Sequence, residues 1–128
     1  MPEPVERPLA DELLTIETSD APDRVLTIAA KGELDLSTAG RLQDSLNSSI
    51  SEGLDVVVDL TRVSFIDSSG IAALIRVFRS LNGGGKMSVL IAPGSQVARV
   101  FELANINDVL PIFTDHAEAV GGLSAPAG

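Results

Sequence analysis

Apolar and polar positions change their period several times along the chain, and each change marks an element. Glu12–Thr18 and Arg24–Lys31 are β-prone runs separated by the turn-rich Ser19-Asp20-Ala21-Pro22-Asp23. Two such runs with so short a link predict an antiparallel pair, with Gly32 read as the end of the second. Within Leu36–Ile50, Ala39, Leu42, Leu46 and Ile50 recur at helical spacing, with Ser37 the candidate cap and Gly53 the stop. Val56–Leu60, flanked by Asp55, is a continuous apolar run, the pattern of a strand covered on both faces. Thr61–Ser68 reads as a loop. Ile71, Leu74, Ile75, Phe78 and Leu81 then form the strongest helical stripe of the chain, stopped by Asn82-Gly83-Gly84-Gly85. Met87–Ala92 reads as a strand and Pro93-Gly94 as a turn. Ser95 caps a third helix with Val97, Val100, Phe101 and Ala104 on one face. Val109–Phe113 is a short last strand and Asp115–Val120 a final helical turn or two.

The order β-β-α-β-α-β-α-β-(α) predicts an α/β fold. Its sheet is mixed and mostly parallel, with an N-terminal antiparallel strand, right-handed crossovers and helices packed on it. The 128 residues are the size of one domain. Met1–Pro8 and Gly121–Gly128 are rich in proline, glycine and small residues. Flexible tails over residues 1–10 and 121–128, around a domain at 11–120, are therefore expected.

Composition narrows the chemistry. Hydrophobic residues make up 45% but aromatics only 3%, so the core must be aliphatic. A net charge of -9 repels phosphate backbones and anionic lipids, which argues against direct nucleic-acid binding; it suits a partner surface bearing Arg and Lys, and reads equally well as acidity that merely keeps the protein soluble. The chain has no cysteine, hence no disulfide, thiolate metal site or cysteine nucleophile. Met1–Pro8 lacks the apolar run of a secretory signal, and no segment approaches the roughly 20 apolar residues of a membrane span. A cytoplasmic protein with no membrane partner is expected.

The segment Phe65-Ile66-Asp67-Ser68-Ser69-Gly70-Ile71 gathers two hydroxyls, a carboxylate and a glycine where an apolar stretch meets a strongly amphipathic helix. Two readings stand. Ser68 or Asp67 is an N-cap that satisfies first-turn amides. Alternatively, Ser68 is an exposed hydroxyl whose phosphorylation the positive end of the helix tolerates, with Gly70 letting a partner approach the backbone. Asp67 either caps the helix or positions the Ser68 hydroxyl.

Other chemistry finds little support. Neither Ser68 nor Ser69 sits in the Gly-x-Ser-x-Gly pattern of a hydrolase elbow. The single histidine, His116, reads as a surface residue rather than a general base, and with scattered acids it makes no zinc site. Gly83-Gly84-Gly85-Lys86 lacks the earlier glycine and the following Ser or Thr of a phosphate loop, and it follows a helix instead of preceding one. Asn47-Ser48-Ser49 matches a glycosylation acceptor by chance, inside a helix. No enzyme activity and no cofactor are expected.

Gly32-Glu33-Leu34-Asp35 before a helix, then Val56-Val57-Val58-Asp59-Leu60, then Phe65-Ile66-Asp67-Ser68-Ser69-Gly70, resembles the STAS domain of bacterial anti-sigma factor antagonists. Arg99-Val100-Phe101-Glu102-Leu103, within Val97–Asn107, is similar to the family's third helix, and the likeness spans roughly residues 12 to 118. The resemblance implies that Ser68 is a phosphoacceptor, with Asp67, Ser69 and Gly70 as its surroundings. It further implies that the unphosphorylated form binds an anti-sigma factor, commonly also an ATP-dependent serine kinase, and so frees a sigma factor, while a serine phosphatase resets the switch. Asp35, Ser37, Ser68, Ser69, Ile71 and Ala72 would then border the partner. Asp35 and Ser37 read equally well as a turn aspartate and an N-cap. A second role within the resemblance is an interaction module of a transporter or stress-signalling assembly in which Ser68 is only a cap. A third is nucleotide binding at the same end of the sheet.

Overall fold

The computed structural model describes residues 13–81 and 85–123. The N-terminal tail expected over residues 1–10, the turn residues 82–84 and the last five residues of the expected C-terminal tail lie outside the described residues. Five strands, β1 (Leu14–Thr18), β2 (Val25–Leu34), β3 (Asp55–Ile66), β4 (Met87–Leu90) and β5 (Ile112–Phe113), form one sheet in the order β1-β2-β3-β4-β5. β1 is antiparallel to β2, and every other neighbour is parallel. The helices are α1 (Ala39–Ser51), α2 (Ser68–Arg79), α3 (Gln96–Leu103) and α4 (His116–Leu123). The α/β class, the antiparallel start and the covered sheet are as the sequence predicts.

The core is aliphatic except for the fully buried Phe101, close to what composition requires. Leu26, Ile28, Ala30, Val56, Val58 and Val89 form one sheet face. Leu42 and Leu46 of α1, Leu74 and Val77 of α2, and Val97 and Phe101 of α3 pack against it. The opposite face is covered only in part, where Ala119 and Leu123 of α4 close over Val57 and Leu90. Strands buried on both faces cannot alternate apolar with polar positions, which is why the middle of β3 reads as an unbroken apolar run.

Several boundaries differ from those the sequence predicts. Gly32 does not end β2; the strand bends there and continues to Leu34. Its φ is +118°, and a Cβ at this position would lie 2.0 Å from Leu13 O, so glycine is what allows β1 to pair across it. Thr61–Ile66 is strand rather than loop: β3 runs beside β2 through register shifts between Ala29 and Lys31 and between Gly32 and Glu33. Ser37 is not the α1 cap, a position that Thr38 occupies. Residues 121–123 belong to α4, whose Leu123 is buried, instead of to a tail, because the open sheet face supplies apolar surface to cover.

Candidate functional site

Two strand-to-helix corners meet at one end of the sheet. The first follows β2. Asp35 Oδ1 accepts hydrogen bonds from Ser37 N at 2.9 Å and Ser37 Oγ at 2.7 Å. Thr38 Oγ1, fully buried, accepts from Asp35 N at 3.0 Å and donates to Glu33 O at 2.8 Å. The Ser37 hydroxyl is the main cause that holds the Asp35 carboxyl below its ordinary value. Bonds from Ser37 N and from Thr38 add to it against a smaller desolvation. Thr38 turns inward, Asp35 and Ser37 bond to each other near the surface, and Leu36 between them is 82% exposed.

The second corner follows β3. Asp67 is the N-cap of α2: its Oδ1 accepts from Ser69 N at 2.8 Å and Gly70 N at 3.2 Å, and its carbonyl accepts from Ile71 N at 3.1 Å. Capping is thus the role of Asp67, and Ser68 is the first residue of the helix. Ser68 is exposed, and no residue among those described holds its hydroxyl. Three first-turn amides are already satisfied, so a phosphate on Ser68 would feel the favourable end of the helix but would point outward, beside the Asp67 carboxylate.

Gly70 joins the corners. It is buried, and a Cβ there would come within 2.8 Å of Leu34 O and of Ile66 Cγ1. Its small size serves packing between α2 and the end of β2, which corrects the expectation that it opens the backbone to a partner. Asp67 N donates to Leu34 O at 3.2 Å across the same contact.

A shallow groove of about 470 Å³ runs between α1 and α2, lined by Leu36, Ala39, Gly40, Ser68, Ser69, Ala72 and Arg76. Five of these residues are glycine, alanine or serine, which leaves the backbones of both helices close to the groove surface. The Arg76 guanidinium at the far end is held by Gln43 Oε1 through Nε at 3.2 Å and Nη2 at 3.1 Å. Ser68, Ser69 and Ala72 thus share one surface. Asp35 and Ser37 stand beside it without lining it, and Ile71 leans on the core. Leu36, Gly40 and Arg76 were not singled out from the sequence, because a lone leucine, glycine or arginine carries no signal until two helices are brought side by side. His116 is exposed and bonds Thr27 Oγ1 through Nε2 at 3.0 Å, in an open 910 Å³ pocket on the other sheet face. Among the described residues no His/Cys/Asp/Glu cluster is arranged for a metal, and no helix is long and apolar enough to cross a membrane.

Comparison with known proteins bears on the same region. The anti-sigma-B factor antagonist of Listeria monocytogenes is 28% identical over 109 residues, 84% of this chain and 96% of that protein. Its Staphylococcus aureus counterpart is 28% identical over 100 residues, 77% of this chain and 92% of that protein. Among solved structures, an anti-sigma factor antagonist from Mycobacterium paratuberculosis superimposes with a TM-score of 0.78 at 21% identity, covering 88% of this chain and 95% of that one. The Bacillus cell fate determinant SpoIIAA in its phosphorylated form gives 0.60 at 22% identity, covering 84% and 98%. These likenesses in structure concern the fold. The family model described as STAS domain matches residues 18–119, from the end of β1 into α4 and across both corners. The chain belongs to the STAS domain family.

Proposed function

We propose that this protein is an anti-sigma factor antagonist whose unphosphorylated form binds an anti-sigma factor that is also a serine kinase, and so releases a sigma factor. Phosphorylation of Ser68 abolishes that binding, and a serine phosphatase restores it. The protein acts in the cytoplasm as a binding regulator and performs no catalysis of its own. The observation that carries this reading is the exposed, unheld Ser68 hydroxyl on the rim of the α1–α2 groove, next to exposed Leu36. The names of the Listeria and Staphylococcus relatives support the same class of partner.

The electrostatics are sufficient. A phosphoserine adds about -1.5 to -2 charges at neutral pH. Against a partner carboxylate at about 4 Å and an effective dielectric near 20, each unit charge costs roughly 4 kcal/mol. Half of that, after screening, is about 2 kcal/mol, more than tenfold in affinity. The Asp67 carboxylate, fixed by Ser69 N and Gly70 N, adds to the local negative charge. Because the group projects outward, the switch works by spoiling contact at the groove, with no refolding of the domain.

The test pairs the purified chain with candidate anti-sigma kinases and ATP. Ser68→Ala is expected to take up no phosphate while binding as wild type does, and Ser68→Asp to bind about tenfold more weakly. Phosphate uptake by Ser68→Ala at the wild-type level would remove Ser68 as the acceptor.

A further inference from the structure

The end of β3 outruns β4. The two strands pair only from Val56 opposite Met87 to Asp59 opposite Leu90, so the stretch from Leu60 to Ile66 has a strand neighbour on its β2 side alone. At the end of this one-sided stretch, a side chain takes the place of the missing strand. Gln96 Oε1 accepts a hydrogen bond from Ile66 N at 2.8 Å, and Gln96 Nε2 donates to Ile66 O at 3.0 Å. A primary amide offers a donor and an acceptor side by side, as the backbone of a neighbouring strand would. On the other flank, Leu34 pairs with Ile66 and its carbonyl accepts from Asp67 N. The residue two before Ser68 is therefore gripped from both sides.

The platform behind the amide is firm. Gln96 is the first residue of α3, whose cap Ser95 accepts from Ala98 N at 3.0 Å and donates from Oγ to Ala92 O at 2.7 Å. Its neighbour Val97 is fully buried.

We infer that Gln96 is a positioning residue for Ser68: its two-point grip on Ile66 sets the strand-to-helix corner that presents the hydroxyl, and ties that corner to α3. This rests on the reading of Ser68 as the phosphoacceptor. Phosphate transfer to a hydroxyl needs that oxygen held in line with the donor, and displacement of a reacting group by as little as about 1 Å lowers rate rather than affinity.

Two variants test the grip. Gln96→Met keeps the length and loses both bonds. Gln96→Glu keeps an acceptor for Ile66 N and loses the donor to Ile66 O. In Gln96→Met, hydrogen-exchange protection of the Ile66 amide is expected to fall about three- to tenfold, the worth of one such bond, while the amides of Val56–Val58 stay as in wild type. With a kinase that labels the wild-type chain, kcat for phosphate uptake should fall about tenfold with KM within about twofold. Gln96→Glu should lie between. Wild-type protection of Ile66 in Gln96→Met would overturn the grip, and loss spread evenly through Val56–Val58 would replace it with general destabilisation. An unchanged kcat beside a locally loosened Ile66 would overturn the positioning role. Failure of the acceptor reading shows separately, as phosphate uptake by Ser68→Ala, since the exchange arm needs no partner.

Discussion

The two corners at the working end of the sheet use the same parts to opposite effect. After β2 the order is Asp35-Leu36-Ser37-Thr38, and after β3 it is Asp67-Ser68-Ser69-Gly70. In the first, the aspartate takes up a serine hydroxyl, the threonine is buried, and a leucine is left facing solvent. In the second, the aspartate spends its bonds on backbone amides, and a serine hydroxyl is left facing solvent. Identical local chemistry, an aspartate closing a turn, leaves an apolar side chain exposed in one place and a hydroxyl exposed in the other. The difference lies in which donors the carboxylate takes: the amide and the hydroxyl of Ser37 at Asp35, but the amides of Ser69 and Gly70 and no hydroxyl at Asp67. Together the corners put an exposed leucine and an exposed serine hydroxyl on one groove, the arrangement on which the proposed switch rests.

The strongest way to break the comparison is to force the corners apart. Gly70→Ala puts a methyl group against Leu34 O and Ile66 Cγ1, both 2.8 Å from the required Cβ position. We expect a loss of about 1–3 kcal/mol in denaturant unfolding, typical of overpacking, together with weaker partner binding. Full stability in this variant would mean that the corners are not in tight contact.

Next in size is the contrast between cap and hydroxyl. Asp67→Ala removes the acceptor for two first-turn amides and should cost about 1 kcal/mol. Ser68→Ala removes an unheld, exposed hydroxyl and should change stability by less than about 0.5 kcal/mol. Equal losses in thermal unfolding of the two would mean that Ser68 shares the capping role.

The smallest effect is electrostatic and sharpens the account of the first corner. Folding favours the charged form of Asp35, because the Ser37 hydroxyl and its companions hold the carboxyl below its ordinary value. That contribution is present above the unfolded-chain value and is lost as pH falls through the depressed folded value. In Ser37→Ala the Asp35 titration midpoint, followed by carboxyl-carbon NMR, should move up toward the ordinary value, and the acid limb of the stability curve should soften. An unmoved midpoint would assign the depression to other groups.

Much of the fold is legible because period and burial agree. The stripe Ile71, Leu74, Ile75, Phe78 specifies α2, and the run Val56-Val57-Val58 specifies a strand with both faces covered. The second half of β3 is illegible for a physical reason: Thr61-Arg62-Val63-Ser64 pairs on one side only and shifts register twice, so no clean alternation survives. The last turn of α4 hides likewise, since Gly121-Gly122 reads as a tail until Leu123 finds the open sheet face. At the site, the Asp-Ser-Ser-Gly motif marks Ser68, whereas the groove lining at Leu36, Gly40 and Arg76 depends on two helices meeting.

The sequence by itself determined the kinds of elements, their order, the aliphatic core and the candidate hydroxyl, because periodicity and capping are local properties of the chain. The structure resolved the local choice of cap, with Asp67 and not Ser68 closing the helix, and tertiary structure alone decided two further things: Gly70 is a packing contact, and Gln96 reaches Ile66 across thirty positions of sequence. The last two outcomes depend on which groups from distant segments come within reach of one another, and no local pattern encodes that.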